Sequence, residues 1–328
     1  MSSPATAEAS THTKKQKKDS IFIHVGTCFG DEASPTKAVL RLTLATDTGL
    51  LESAGPPIPI DGGHTNPGWL SRYVPREDES LVVYIGMEDD PGMVQAFQVV
   101  EDDDDEGSRG ATCLQPLGNT VSSVGRHPCY CQLDQSGRWL LSANYTEGSI
   151  SVVPVLDDGS LGPATDSKHH QGQILDTKLH DRQEASHAHC IIPHPTNKYV
   201  VACDLGLSKV FVYEFDSING SLRGAADDPR HLTLPAEAGC RHCCWDATGE
   251  TLFVVNELSY TVTAASFDVA TGTLTEVWSV YLLRPTDTPN RAPHRGASDI
   301  ALHPNGRFLY VGCRAPSPGL ICILQIQG

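Results

Sequence analysis

The chain has 328 residues, 39% of them hydrophobic, and a formal net charge of -16 at pH 7. This length allows one large domain or two ordinary ones with a sizeable core. The acidic balance disfavours nucleic acid and anionic membranes as partners, and the longest apolar runs are too short for a transmembrane helix.

The N-terminal segment and the cysteines indicate the compartment. Residues 1–20, "MSSPATAEASTHTKKQKKDS", are rich in Ser, Thr and Lys and lack the apolar run of a secretory signal, so a disordered tail is expected there. The 11 cysteines are scattered, and the one dense group, "CRHCC" (240–244), has no second CxxC at zinc-ribbon spacing. We therefore expect reduced thiols in a cytoplasmic protein.

From residue 21 onward one pattern recurs, in which two apolar runs flank a turn and a third, alternating run follows. Clear copies are "CYCQLDQSGRWLLSAN", "HCIIPHPTNKYVVACD", "RHCCWDATGETLFVVN" and "SDIALHPNGRFLYVGC", and weaker copies precede them. Their turns lie about 50–60 residues apart, a spacing typical of β-propeller blades. The sequence thus predicts an all-β fold, a β-propeller over residues 21–328 with about six units.

The turns also predict which residues share one end of the sheets. Residues equally far before and after a hairpin turn lie at the same end of the blade. We count from Gly137, Asn197, Gly249 and Gly306. Seven positions onward stand Asn144, Asp204, Asn256 and Cys313, followed by Tyr145, Leu205, Glu257 and Arg314. Eight to eleven positions back stand Arg126 and His127, His187 and His189, Arg241, and Arg295.

This set would ring the central opening, because the first strand of a propeller blade is the innermost. A ring-shaped protein can bind a small molecule there. The set is cationic within an acidic protein, so an anionic ligand is expected.

Several of these residues have more than one interpretation. His187 and His189 alternate on one strand face and could be metal ligands, an acid/base or binding pair, or polar residues at a wet strand end. Arginines at the matching places of other units disfavour a metal. Arg241 and Glu257 could form a structural ion pair, or Glu257 could orient the guanidinium toward a carboxylate or phosphate. Asp204 could bind a ligand or only cap a turn.

The stretches "SHAHCIIPHPTNKYVVACDLG", "GCRHCCWDATGETLFVVNELSYTV" and "ASDIALHPNGRFLYVGCR" resemble the lactonase-type seven-bladed β-propellers. That family includes the cycloisomerase-like 6-phosphogluconolactonase and the fungal carboxy-cis,cis-muconate cyclase, and the resemblance runs from about residue 21 to the end. It implies lactone hydrolysis or formation without an established metal or cofactor. The family continues past "GLICILQIQ" with another copy, so a seven-bladed type lacking its C-terminal unit is expected, with about six units present. The ring could then close with six units, stay open, or belong to a truncated variant.

The resemblance also implies roles for particular residues. It favours catalytic roles for His187 and His189 from the H-x-H element, Arg241 from R-H and Glu257 from N-E-L, with either histidine as the base that activates water. The expected substrate-binding residues are His127, Asn144, Asp204, His242, Arg295 and Arg314. The sequence-based hypothesis is hydrolysis of 6-phosphogluconolactone, with a small anionic lactone or sugar acid as partner. The alternatives are a muconate-lactonising cyclase and a non-catalytic binding platform.

Overall fold

The structure is a computed structural model that describes residues 20–26, 38–54, 57–59, 66–71, 74–75, 81–101, 112–174, 180–224, 230–283, 296–314 and 319–327. The expected tail at residues 1–20 therefore falls almost wholly outside the described residues. Within them, strands dominate, and the one helix is a single turn, α1 (His180–Gln183). This part of the chain contains no helix with the length and hydropathy that a membrane span needs.

The described residues form six antiparallel sheets in chain order. The first three sheets comprise β1 (Ser20–Gly26), β2 (Ala38–Ala45), β3 (Leu51–Ser53) and β4 (Ile58–Pro59); β5 (Pro67–Leu70), β6 (Val74–Pro75), β7 (Leu81–Met87), β8 (Met93–Glu101) and β9 (Thr112–Ser122); and β10 (Pro128–Leu133), β11 (Trp139–Asn144), β12 (Ser149–Pro154) and β13 (Asp166–His169).

The last three sheets comprise β14 (Ala188–Pro193), β15 (Tyr199–Asp204), β16 (Lys209–Asp216), β17 (Ser221–Arg223) and β18 (Arg230–Thr233); β19 (Cys240–Trp245), β20 (Thr251–Asn256), β21 (Thr261–Asp268) and β22 (Thr273–Tyr281); and β23 (Ala297–Leu302), β24 (Phe308–Cys313) and β25 (Leu320–Gln325). The all-β propeller prediction with six units is confirmed.

Each sheet packs against the next through the apolar residues of its strands. One cluster joins the first and second sheets through Val39 and Val83, and another joins the second and third through Val82 and Leu140. A large cluster spans the third to fifth sheets, and a fourth joins the fifth and sixth. Burying both faces of a small sheet in this way is what makes stacked blades stable.

The innermost strands β5, β10, β14, β19 and β23 contact one another in succession, so the sheets are arranged around a common centre. Among the described residues, no extensive strand packing joins the sixth sheet to the first. Ile321 and Ile323 on β25, the outer strand of the sixth sheet, are largely exposed.

The same hairpin register recurs from the second sheet to the sixth. The first residue of the innermost strand pairs with the last residue of its neighbour, after which a β-bulge interrupts the ladder; the pairs are Pro67–Met87, Pro128–Asn144, Ala188–Asp204, Cys240–Asn256 and Ala297–Cys313. The turn residues Gly137, Asn197, Gly249 and Gly306 all have positive φ, at 69°, 59°, 78° and 70°. The register predicted by counting from these turns is therefore confirmed.

Candidate active site

The repeated bulge places one side chain per sheet at a common end of the molecule. A bulged residue is left out of the ladder and can be aimed away from it. We call this end of the sheets the mouth. It comprises the bulged positions and the residues that follow the second strand; the former are Gly68, Cys129, His189, Arg241 and Ser298–Asp299, and the latter are Glu88, Tyr145, Leu205, Glu257 and Arg314.

The centre of the mouth is a carboxylate held by three guanidinium groups. Glu257, only 2% exposed at its side chain, has Oε1 at 2.9 Å from Arg182 Nη2 and 2.8 Å from Arg314 Nη2. Its Oε2 lies 2.9 Å from Arg241 Nε, at an angle that makes this contact an ion pair rather than a hydrogen bond. Three cations around one anion leave a net positive charge beside the opening, which suits an anionic ligand.

The protonation states of this cluster follow from its burial and its charges. Burial alone would raise the pKa of Glu257, but Arg241, Arg314 and Arg182 outweigh it and hold the pKa below its ordinary value. Burial would also lower the pKa of Arg182, whereas Glu257 and Tyr145 raise it overall. Burial lowers the pKa of Arg241, although Glu257 opposes the change. Glu257 is thus a fixed anion at neutral pH.

Arg241 is further oriented by the sixth sheet. Its Nη1 donates to the carbonyl of Ser298 at 2.9 Å and lies 3.2 Å from His242 Nε2. Since a guanidinium only donates, His242 Nε2 must accept, and His242 Nδ1 then donates to Asp299 Oδ1 at 2.9 Å. His242, an expected substrate-binding residue, is buried and positions Arg241.

Aromatic rings from neighbouring sheets meet beside Arg241, and we call this ring cluster the floor of the mouth. Trp69 stacks on Tyr130 at a centroid distance of 4.4 Å, and both rings meet the edge of His242 at 5.2 Å. His189 also lies 5.2 Å from His242. The second to fifth sheets therefore converge at this floor, as a small-molecule pocket requires.

His189 lies at this convergence as the sequence predicts. It is buried, with Nδ1 3.5 Å from Cys129 Sγ and its ring against the edge of Tyr145. Burial, with the nearby Arg241 and His242, lowers the pKa of His189 well below its ordinary value. The imidazole is thus neutral and can offer a hydrogen bond to a substrate oxygen, but it is a weak base.

His187 is fully engaged by the protein. Its Nδ1 is 3.1 Å from the carbonyl of Tyr145 and its Nε2 is 3.1 Å from Glu184 Oε1, while the ring stacks on Tyr145 at 4.5 Å. Both ring nitrogens of His187 thus have oxygen atoms of the protein as partners. The structure places His187 against Tyr145 and Glu184, and the catalytic role expected from the sequence stays a prediction.

Asn144 and Asp204 are inside the protein. The amide nitrogen of Asn144 donates to the carbonyl of Ser123 and to Ser149. Asp204 accepts from the main-chain N–H groups of His187 and Leu207, and its other oxygen is 2.7 Å from His170 Nδ1. Both side chains are fully buried, and the Asn144 amide nitrogen and both Asp204 oxygens have protein partners, so they brace the turns of the mouth. Their expected substrate-binding roles stay predictions.

The structure does not join two other expected binding residues, His127 and Arg295, to this cluster. His127 precedes the third-sheet bulge and has a positive φ of 56°. The residue in register with His189 and Arg241 is Cys129. A count of eight to eleven positions back from the turn includes both His127 and Cys129, so the count alone does not separate them. Arg295 lies outside the described residues. Its role stays a prediction, as does that of Arg314, which is 42% exposed at its side chain beside Glu257.

Sequence reasoning missed Arg182 and Glu88, and it placed Tyr145 at the mouth without assigning it a role. Arg182 belongs to α1, a segment outside the repeat, so no spacing predicts it. Tyr145 hydrogen-bonds Arg182 and covers His187. Glu88 follows β7 just as Glu257 follows β20. Aligning β7 with the second strands of the later sheets indicates Glu88 by its place in the hairpin register.

The fold and this site define a class: a β-propeller whose mouth presents a cationic cluster above an aromatic floor. The family described as lactonase, 7-bladed beta-propeller matches residues 23–328, and the chain belongs to this family.

Two of the similar curated proteins are named 6-phosphogluconolactonase. Over 243 residues the chain is 31% identical to a 6-phosphogluconolactonase of Bacillus subtilis, covering 74% of this chain and 63% of that protein. A 6-phosphogluconolactonase of Pectobacterium carotovorum is 31% identical over 63% of this chain and 55% of its own length. The chain thus spans about three fifths of the curated relatives it matches.

Solved structures of similarly named proteins have a similar fold. The candidate 6-phosphogluconolactonase of Bacteroides fragilis superposes with a TM-score of 0.73 at 25% identity, over 95% of this chain and 80% of that chain. A protein from Bacteroides uniformis described in the same terms gives a TM-score of 0.72 at 25% identity, over 94% of this chain and 79% of its own.

Proposed function

We propose that the protein hydrolyses the lactone of a phosphorylated sugar acid, 6-phosphogluconolactone, to 6-phosphogluconate. The observation that carries the proposal is the cluster of Arg182, Arg241 and Arg314 around Glu257 at the mouth. The names of the family and of its relatives support a lactone as substrate. The free state of the ten described cysteines supports the cytoplasmic location expected from the sequence.

The cluster supplies both binding and polarisation. Arg314 is half exposed and can turn toward a phosphate or carboxylate, to which a guanidinium binds through two parallel hydrogen bonds. Arg241 is buried and fixed by Ser298, so its positive charge is preorganised for an oxyanion that develops at the lactone carbonyl. Glu257 holds the guanidiniums close together without being consumed in the reaction.

Hydrolysis needs little more than this arrangement. Water adds to the carbonyl carbon, the ring C–O bond of the tetrahedral intermediate breaks, and the hydroxyl and carboxylic acid products form, the acid then losing a proton. Such lactones are strained esters that open in water without a catalyst, so polarisation and positioned water suffice, and no covalent nucleophile is required.

The test is a pH-stat assay of 6-phosphogluconolactone opening, with the spontaneous rate subtracted. We expect Arg314→Gln to raise KM about tenfold while changing kcat little, because one charge-assisted contact to the substrate anion is lost. The matched control is Arg223→Gln, which removes an exposed guanidinium paired with Asp216 near the opposite end of the fourth sheet.

A wild-type protein that fails to accelerate this opening overturns the proposal. Thermal-shift measurements with 6-phosphogluconate and with a muconate lactone then separate the alternatives. Turnover of the muconate lactone alone would indicate the cyclase reaction. Stabilisation by neither acid would indicate a binding platform for another partner.

A further inference from the structure

Glu88 occupies the place in the second sheet that Glu257 occupies in the fifth. Met87 pairs with Pro67 at the start of the innermost strand, as Asn256 pairs with Cys240, and the glutamate follows in each case. The two carboxylates therefore approach the mouth from sheets that are three apart around the centre. Glu88 was not among the residues that the sequence indicated.

The bulged position beside Glu88 is a glycine, and this glycine makes room for the carboxylate. A Cβ built on Gly68 would come within 2.5 Å of Glu88 Oε2 and 2.9 Å of Glu88 Cβ. The carboxylate thus fills the volume that the bulged side chain takes in the other sheets. The main chain of Glu88 is fixed, since its N–H donates to the Asn66 carbonyl at 2.7 Å and its carbonyl accepts from Asn66 Nδ2 at 2.7 Å.

The Glu88 carboxylate is the carboxylate of the mouth that remains available for chemistry. Glu257 is occupied by three guanidiniums, whereas within the described residues no hydrogen bond or ion pair engages the side chain of Glu88. Glu88 senses Arg241 and Asp89 electrostatically, and the buried thiol of Cys129 senses Glu88 in turn. The hairpin register places Glu88 at the same end of the sheets as Arg241, the cation assigned to the oxyanion.

The candidate bases differ in the direction in which the protein shifts their pKa values. Burial raises the pKa of Glu88 to about 7, more than Arg241 lowers it, and Asp89 raises it further. A base is most effective when its pKa lies near the working pH. The pKa values of Glu257 and His189 are both lowered, and both ring nitrogens of His187 already have partners.

We propose that Glu88 is the general base of the lactone hydrolysis, taking a proton from the water that attacks the carbonyl; this inference rests on the proposed function. The water O–H bond breaks as the C–O bond forms, and the carbonyl electron pair moves to the oxygen beside Arg241. When the intermediate collapses and the ring C–O bond breaks, protonated Glu88 returns the proton to the departing oxygen. The carboxylic acid product then ionises to solvent.

The test compares kcat/KM for 6-phosphogluconolactone from pH 5 to pH 9 in wild-type protein, Glu88→Gln and Glu88→Asp, with the spontaneous rate subtracted. Wild type should show a rising limb centred near pH 7, where Glu88 loses its proton. Glu88→Gln should lower kcat/KM by roughly 100- to 1000-fold and abolish this limb. Glu88→Asp, which retracts the carboxylate, should keep the limb with a lower kcat.

Two further measurements separate chemistry from folding and binding. Glu88→Gln should bind 6-phosphogluconate as tightly as wild type in calorimetry, because the guanidinium cluster is intact. Gly68→Ala should lower kcat by displacing the carboxylate, although its backbone conformation allows alanine. Glu214→Gln, which removes an exposed carboxylate paired with Arg230, is the control and should behave as wild type.

The outcomes distinguish this proposal from the proposed function. If Glu88→Gln keeps kcat/KM within threefold of wild type, or keeps the limb near pH 7, Glu88 is not the base although the lactonase assignment stands. If wild-type protein itself does not accelerate lactone opening, both proposals are overturned.

Discussion

Glu257→Gln is the substitution that most directly tests the guanidinium cluster. It removes the charge of an almost completely buried carboxylate and leaves Arg182, Arg241 and Arg314 facing one another. Breaking a buried ion pair by removing one partner costs about 3–5 kcal/mol. Arg314 is half exposed and water can solvate it, so we expect the lower end of this range.

The expected change can be measured in two ways. At pH 7 the free energy of unfolding in denaturant should fall by about 3 kcal/mol. The melting temperature should fall by roughly 6 °C, at about 2 °C for each kcal/mol in a chain of this size. Glu147→Gln is the control, because Glu147 and Arg126 form an exposed ion pair that solvent screens, so its loss should change stability little.

The pH dependence of stability gives an independent check on the sign of the contribution of Glu257. The folded pKa of Glu257 lies below its ordinary value of 4.5, so its stabilisation is present above that value and is lost as the pH falls through the folded pKa. The difference between wild type and Glu257→Gln should therefore shrink on acidification. A difference under 1 kcal/mol at pH 7, or one that grows in acid, would refute the electrostatic reasoning.

The two remaining predictions concern Glu88 and Asp204. The folded pKa of Glu88, about 7, exceeds its ordinary value of 4.5, so wild-type stability should decline as the pH rises from 4.5 to about 7. Over this range the unfolded carboxyl is ionised while the folded one keeps its proton, and the decline ends once the folded carboxyl ionises. Glu88→Gln should flatten this decline and be more stable than wild type at pH 8 by roughly 1–3 kcal/mol in denaturant unfolding, and an unchanged slope would contradict the shift. Asp204→Asn should lose about 2 kcal/mol of stability, because it weakens buried hydrogen bonds with His170, His187 and Leu207, while leaving KM for the lactone unchanged. A raised KM at unchanged stability would instead support the binding role expected from the sequence.

The fold and most of the mouth could be predicted from the sequence because the hairpins repeat. Gly137, Asn197, Gly249 and Gly306 fix tight turns through positive φ, and constant strand lengths then bring Glu257 and Arg314 to one end. The count fails where the hairpin is irregular. In the second sheet β5 and β7 are separated by a longer connection that contains β6, so no single turn residue locates Glu88.

Other residues could not be predicted because their roles depend on contacts between sheets. His187 and His189 look equivalent in the sequence, yet the bulge turns His189 toward the channel while His187 contacts Tyr145 and Glu184. The buried carboxylate of Asp204 is paired with His170, which follows β13 of the third sheet, so the spacing around Asp204 does not indicate this contact. Arg182 belongs to α1, a helical turn that is not part of the repeated unit, so the spacing of the repeats does not predict it.

The repeated bulge has a consequence for how such a protein can change. Its position lets each of the second to sixth sheets place a residue at the mouth while the flanking ladder keeps its hydrogen bonds. These five sheets present hydrogen, thiol, imidazole, guanidinium and hydroxyl–carboxylate groups there, at Gly68, Cys129, His189, Arg241 and Ser298–Asp299. The chemistry of the mouth can thus change one blade at a time, because the scaffold accommodates chemically unlike residues at a single backbone geometry.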